Sequence, residues 1–375
     1  MNISFKFDPE VHIGADILSK AGTIAKRHGK RMITVVDHSL DAQLSNRLRE
    51  ILEDSGLEDI IFDGIEEDST PEMADNIAEL ACGAHCDAVI AFGGQKTQLI
   101  ARMAAIMAPM RIKAFELLDA KPYFNRCLPL LSIPTEGTSA FSFTEYFLAE
   151  DPRNKQIKLI DSPGHLYSAV VVDTALLKST LGANAVSFVI NNLLSASEAY
   201  CSSKSNFLSE IMLERALGFL GKLLRTSGGG LNMEAFAQAA FLASFGASVS
   251  SPGIGTALLA AITARYPAAK AQCSAALFPV IAERLISARP EKMARIASFL
   301  GAGKAASVTD AANTAADAIR RSIEACNLPL NLKSFNITLD RLAAAAETAR
   351  KLEFTASSPW TVSEEAVFGI LKEII

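Results

Sequence analysis

The chain has 375 residues, half of them hydrophobic, with a formal net charge of -5, a pI near 5.7 and a mean hydropathy of +0.23. That length and apolar content suit two domains, each with its own core, and exclude a disordered chain, while the acidic balance gives no electrostatic footing for nucleic acid. Without a basic-then-apolar leader or an uncharged spanning segment a cytoplasmic protein with no membrane contact is expected, and six scattered cysteines point to reduced thiols.

Ile17, Leu18, Ala21, Ile24 and Ala25 recur at helical spacing over 15–28, and Gly29 is a suitable stop. A strand over 32–36 follows and ends in Asp37. Leu44, Leu48, Ile51 and Leu52 mark a helix closed by Gly56, and a strand lies near 60–62. Ser69-Thr70-Pro71-Glu72 predicts a helix start with a hydroxyl cap and proline in the first turn. Ala88 to Phe92 is an unbroken apolar run, the pattern of a parallel strand covered on both faces. Strands alternating with helices predict right-handed βαβ units and a parallel, Rossmann-like sheet.

That apolar strand ends in Gly93-Gly94, and Leu99, Ile100, Met103 and Ile106 then begin a helical pattern. Strand, glycine turn and helix together form a corner suited to phosphate, because backbone can approach the ligand and the helix start presents unpaired N–H groups. The same pattern also serves packing alone. Asp37, at the end of an early strand, either bonds an adenosine ribose and disfavours a 2′-phosphate or is a solvated or capping turn residue. A strand over 128–134 leads into Thr135-Glu136-Gly137-Thr138-Ser139-Ala140, a loop of small and hydroxyl residues suited to a polar ligand or to an ordinary turn. A hairpin over 141–148 and 157–160, bridged by the charged turn 150–153, precedes a last strand at 169–172. Cys82, His85 and Cys86 cluster, but this spacing at a helix end suits buried packing better than a metal site.

After Asp173 the composition turns to Ala, Leu and Ser, and 174–375 reads as consecutive helices broken at 227–230, 251–253, 289–290, 327–329 and 357–359. The domains expected are an α/β unit over 1–173 and an all-helical unit over 174–375, with the cleft between them as the default ligand site.

This order resembles the iron-containing alcohol dehydrogenase family, whose fold is dehydroquinate synthase-like. Gly93-Gly94 falls on the family's Gly-Gly-Gly-Ser corner, Pro134-Thr135 begins its Pro-Thr-Thr loop, and Val171-Val172-Asp173 matches its Val-Asp-Pro segment. Glu198-Ala199-Tyr200 matches its Glu-Ala-Tyr, Asn206 with Ser209-Glu210 its Asn-Pro-x-Ser-Asp, Pro279 the proline after its last metal ligand, and 327–332 its Leu-Pro-x-x-Leu. The resemblance implies hydride transfer between NAD(P) and an alcohol or aldehyde, with the substrate oxygen polarised by a metal held by one Asp and three His. It also implies a small-molecule substrate and a homodimer or higher homo-oligomer.

The ligand positions carry Asn191, Ser195, Thr256 and Lys270 instead. The histidines are His12, His28, His38, His85 and His165, so none lies in the helical half; no catalytic metal is expected. The corner differs as well, with Gln95 and Lys96 in place of glycine and serine and Leu99 in place of the helical Asp. Thr138-Ser139-Ala140-Phe141 replaces Gly-Thr-Gly-Ser, and Phe141 is large enough to fill part of the nicotinamide space. The resemblance therefore implies a cofactor site of Asp37, Gly93, Gly94, Gln95, Lys96, Thr135, Thr138 and Ser139, with NAD(H) favoured over NADP(H). In a metal-independent oxidoreductase Lys270 is the electrophile, Asn191, Ser195 and Thr256 its hydrogen-bonding company, and Glu198 or Glu210 its counter-ion; otherwise Lys270 is a solvent-facing residue of a drifted loop. The alternative is an inactive or repurposed family member that binds a nucleotide or an anionic metabolite.

Overall fold

The computed structural model describes residues 7, 9–66, 68–119, 126–162, 167–303 and 305–375. His165 and most of the N-terminal stretch read for a leader lie outside them. The chain separates into two compact units, one of Met1–Thr138, Phe143–Asn154 and Lys158–Gly182, the other of Ser139–Ser142, Lys155–Ile157 and Ala183–Ile375.

The first unit is an α/β layer structure. Its strands are β1 (Glu10–Gly14), β2 (Arg31–Asp37), β3 (Glu58–Ile65), β4 (Ala88–Gly93), β5 (Leu130–Pro134), β6 (Tyr146–Asp151), β7 (Gln156–Asp161) and β8 (Tyr167–Asp173). Six form one sheet in the order β1-β8-β5-β4-β2-β3, with every pairing parallel, and β6 and β7 pair separately. All of β4 is buried, as its unbroken apolar run requires of a central parallel strand. Met32, Val36, Ile90, Phe92, Leu131, Ile133, Ala169 and Val171, all from one face of the sheet, share a core with Leu18, Ile24, Leu48 and Leu52. On β4 and β5 packs the Gln95–Met110 helix.

Four local expectations change. A strand unread in the sequence, β1, pairs with β8 and places Gly14 opposite Asp173; five residues ending in glycine carry too little pattern to reveal it. The 15–28 helix is instead two 3-10 turns around a short Ala21–Ala25 helix, entered through Asp16 at φ 56°. No hydroxyl caps the Met73–Gly83 helix, because its N-cap is Glu72 and Ser69 Oγ instead accepts from Glu66 N within the preceding turn. The first hairpin strand begins at Tyr146, residues 141–145 being turn. Asp173 ties the sheet's end together. Its carboxylate caps the Thr174–Leu181 helix through Ala175 N (2.9 Å) and Leu176 N (3.1 Å) and accepts from Leu18 N at 3.0 Å.

Arg102, buried in the Gln95–Met110 helix, joins that helix to the hairpin region. It donates to Thr144 O (2.8 Å) and Ser162 Oγ (2.7 Å) and lies 4.8 Å from the Phe147 ring centroid.

The second unit is helical, with helices at Ala185–Cys201, Phe207–Thr226, Met233–Val249, Ile254–Arg265, Lys270–Ala288, Pro290–Phe299, Val308–Glu324, Leu339–Arg350 and Glu364–Ile374. Asn206 and Ser209 form a capping box at one start, and Asn232, Ser307 and Ser363 cap others. The breaks at 227–230, 251–253, 289–290, 327–329 and 357–359 fall where the polar and proline segments predict, and further breaks after Cys201, Arg265 and Phe299 are ones those segments did not mark. Among the described residues no single helix is long and apolar enough to cross a membrane.

One acid in the sheet couples stability to pH. Asp59 on β3 accepts from Thr34 Oγ1 at 2.7 Å, while its Oδ2 is buried without a hydrogen-bond partner. Burial pushes this carboxyl up to about 6, against the pull of the Thr34 hydroxyl. The folded state therefore holds a proton that the unfolded chain releases near pH 4. The stabilisation is complete below that pH and is lost as pH rises through 6. Asp59→Asn is expected to flatten this slope and to raise stability at pH 8 by on the order of 1–3 kcal/mol, measured by urea unfolding at pH 5 and 8.

Candidate functional site

The glycine corner is built at the C-terminal ends of β2, β4 and β5. Gly93 pairs with Pro134 in register, and Thr135 N donates to Gly93 O at 3.1 Å, so the second loop leaves the sheet beside the turn. Gln98, one turn into the helix, reaches back to Ala91 O (3.0 Å) and Gly93 O (3.2 Å) and accepts from Ser132 Oγ at 2.7 Å. A side chain on Gly93 would collide with Thr97 Oγ1 at 2.6 Å and Asp37 Cβ at 2.7 Å, which fixes glycine there.

The N–H groups of this corner meet carboxylates. Asp37 Oδ2 accepts from Gly94 N at 3.3 Å and from Thr97 Oγ1 at 3.5 Å, while its Oδ1 accepts from Ser39 N and Ser39 Oγ. Glu136 Oε2 accepts from Gln95 N at 3.0 Å. The Glu136 carboxyl also stands 3.0–3.2 Å from where a Cβ on Gly94 would lie. The space that glycine leaves for close approach thus holds an acid of the protein itself.

Of the expected cofactor residues, Asp37, Gly93, Gly94, Gln95 and Thr135 come together at this corner, and Lys96 is the second residue of its helix. Thr138 is buried. Ser139 is bonded within its own turn, its N donating to Ser142 Oγ at 2.8 Å, and Phe141 packs edge-on against Phe354 with centroids 5.5 Å apart.

In the second unit Asn191 and Ser195 lie one turn apart on the Ala185–Cys201 helix. Asn191 Oδ1 is buried without a hydrogen-bond partner, and Ser195 Oγ donates to Asn192 O at 3.3 Å. Thr256 is tied to the same helix through Glu198. That carboxylate, 2% exposed, accepts from Gly255 N (2.6 Å), Thr256 N (2.8 Å), Thr256 Oγ1 (2.7 Å) and Gly253 N (3.3 Å). A Cβ on Gly253 would lie 2.7 Å from Glu198 Oε1, so glycine is what lets the carboxylate reach the turn. Burial pushes the Glu198 carboxyl up, and the hydrogen bonds from Thr256, Gly255 and Gly253 pull it back.

Lys270 opens the Lys270–Ala288 helix, which packs along the Ala185–Cys201 helix. Glu198 and Glu210, considered above as its counter-ions, serve other donors: Glu198 those just named, and Glu210 the ammonium of Lys292 at 2.7 Å and Ser205 Oγ at 3.0 Å. An amide, two hydroxyls and an ammonium do not fit a divalent transition metal, which needs imidazole, thiolate or carboxylate donors and repels a cation. Among the described residues no group of three or more His, Cys, Asp or Glu side chains is placed to hold a metal ion.

Sequence reading passed over Glu136 and gave Glu198 a different part. For Glu136 the signal was an acid within a hydroxyl loop beside a glycine turn. For Glu198 it was a carboxylate in an apolar helix, with a Gly-Ile-Gly-Thr helix start further along the chain to receive it. Glu198→Ala, which strands buried N–H donors, is expected to lower unfolding free energy by about 3 kcal/mol, and Glu198→Gln by less, in denaturant titrations of the whole chain.

Two sequence profiles together span nearly the whole chain: iron-containing alcohol dehydrogenase over residues 8–174, and the C-terminal part of the Fe-containing alcohol dehydrogenase family over 185–375. The chain is 24% identical to 1,3-propanediol dehydrogenase of Citrobacter freundii, covering 92% of this chain and 91% of that protein. It is 25% identical to choline dehydrogenase of Bacillus subtilis, covering 88% and 84%. The crystal structure of a 1,3-propanediol oxidoreductase matches the fold with a TM-score of 0.91 at 22% identity, covering both chains completely. Sulfoacetaldehyde reductase of Bifidobacterium kashiwanohense, solved with NAD+, matches with a TM-score of 0.84 at 16% identity, covering 100% of this chain and 99% of that one. The parallel sheet with its glycine corner, the helical unit and the two profile matches lead to one conclusion: the chain belongs to the iron-containing alcohol dehydrogenase family.

Proposed function

We propose that the chain is an NAD(H)-linked oxidoreductase that moves a hydride between a small alcohol and its aldehyde without a metal. The observation that carries this reading is family membership across both halves of the chain together with the strand–glycine–helix corner at the end of β4. Relatives named for propanediol, choline and sulfoacetaldehyde support a small alcohol or aldehyde as substrate. Asp37, at the end of β2 beside the corner, supports NAD(H) over NADP(H), because a fixed carboxylate there repels a 2′-phosphate.

Bound nicotinamide supplies the hydride acceptor or donor. The residues available to hold the cofactor in the first unit are Asp37, Gly93, Gly94, Gln95, Lys96, Thr135 and Thr138. In the second unit Lys270 supplies a positive charge that polarises a carbonyl or stabilises an alkoxide, and Asn191, with its unpartnered Oδ1, supplies an acceptor for the substrate hydroxyl. The same reading carries a homo-oligomer, as the family resemblance implies.

A second reading, a family member that kept the fold and binds a nucleotide or anionic metabolite without turnover, is favoured by the carboxylates already seated on the Gly94 and Gln95 N–H groups. Calorimetry with NADH and NADPH on metal-analysed protein, followed by aldehyde reduction assays, separates the two. The first reading expects micromolar NADH binding, at least about tenfold weaker NADPH, and a loss of about 100-fold or more in kcat/KM for Lys270→Ala. Normal turnover by Lys270→Ala removes Lys270 from the mechanism, and failure of the wild-type protein to bind either dinucleotide leaves the second reading.

A further inference from the structure

We propose that Glu136 controls anion binding at the glycine corner, its carboxylate holding the place that a ligand's phosphate oxygen must take. The first N–H groups of a helix have no partner within it and carry the positive end of its dipole. The Gln95–Met110 helix starts after Gly94, an N-cap with no side chain to offer. Its Gln95 N–H is met at 3.0 Å by Glu136 Oε2, from a loop that follows a different strand. The carboxyl also fills the volume over Gly94, 3.0–3.2 Å from a notional Cβ. These are the two provisions of a phosphate corner, a donor and an open approach, and one acid takes both. With Asp37 on Gly94 N, a phosphate arriving with Glu136 in place would meet two negative charges at contact distance.

Glu136 is only partly buried and precedes Gly137 at φ +80°, and a side-chain rotation that withdrew its carboxyl would open the corner with the helix unmoved. The corner is then an anion site closed by an internal competitor, and its affinity is set by how easily that competitor is displaced. A carboxylate that served only as a helix cap would affect stability and leave anion affinity alone. The inference rests on the proposed function solely in naming a dinucleotide among the ligands.

The test is calorimetric titration of the full chain, as wild type, Glu136→Gln and Glu136→Thr, with inorganic pyrophosphate, ADP, NADH and, as an uncharged probe, adenosine. Both variants are expected to bind pyrophosphate and ADP about tenfold or more tightly than wild type, with adenosine unchanged and a small drop in melting temperature from the weaker cap. Pyrophosphate and ADP affinities equal to wild type in a folded variant overturn the proposal, whatever happens to NADH. If the variants gain pyrophosphate and ADP binding while no form binds NADH, Glu136 controls the corner and the dehydrogenase reading falls. If all forms bind NADH and ADP equally, the dehydrogenase reading stands and Glu136 is a cap alone.

Discussion

A helix start leaves its first N–H groups without acceptors in the helix, and both candidate sites of this molecule turn on where an acceptor comes from. In the first unit it comes from Glu136 and Asp37, which meet the Gln95 and Gly94 N–H groups. In the second it comes from Glu198, whose carboxylate gathers Gly253, Gly255 and Thr256 at the start of the Ile254–Arg265 helix. A carboxylate is the side chain most like a phosphate in charge and acceptor geometry, so each such cap stabilises the fold by the same interaction that would bind a ligand. Glu198 is fully enclosed and braces one helix against another. Glu136 is partly exposed and sits on a loop. Burial therefore separates a structural acid from a displaceable one, although the bonds look alike.

The fold around these acids follows from ordinary patterning. The unbroken apolar run of β4 demanded cover on both faces, and the parallel sheet supplies it with helices on each side. Asp173 shows how a single residue at a strand end is used twice, capping the helix that follows and holding the turn after β1.

Most of this architecture was legible in the residues. Gly56, the 251–253 break and Pro290 stopped or started helices where their backbone chemistry requires it. What escaped the sequence was long-range. The strand Glu10–Gly14 is defined by its pairing with Tyr167–Asp173, more than 150 residues away, and a five-residue run has no periodicity to declare it. Ser69 and Thr70 look like caps because hydroxyls before a proline usually are, but the turn at 66–69 claimed the Ser69 hydroxyl first. Chain order reveals groups that belong to one segment. Glu136 reaching Gln95 spans 41 positions and Glu198 reaching Thr256 spans 58, so neither contact leaves a local trace.

On the reading proposed above, with Asn191, Ser195, Thr256 and Lys270 standing where the family resemblance puts metal ligands, the second unit would ask something different of a substrate. A metal tolerates any oxygen that reaches it, whereas an ammonium and a buried amide oxygen discriminate by hydrogen-bond polarity and charge. An anionic group on the substrate would be drawn to Lys270 and an uncharged alcohol much less so. The first unit presents the opposite selection, since Asp37 and Glu136 discourage anions that an open glycine corner would welcome. With Lys270 in one unit, and Asp37 and Glu136 beside Lys96 in the other, the proposed reading keeps the architecture of the family while altering the electrostatic demands on cofactor and substrate. Those demands follow from a few side chains at strand ends and helix starts, and the hydrophobic framework that positions them is indifferent to the change.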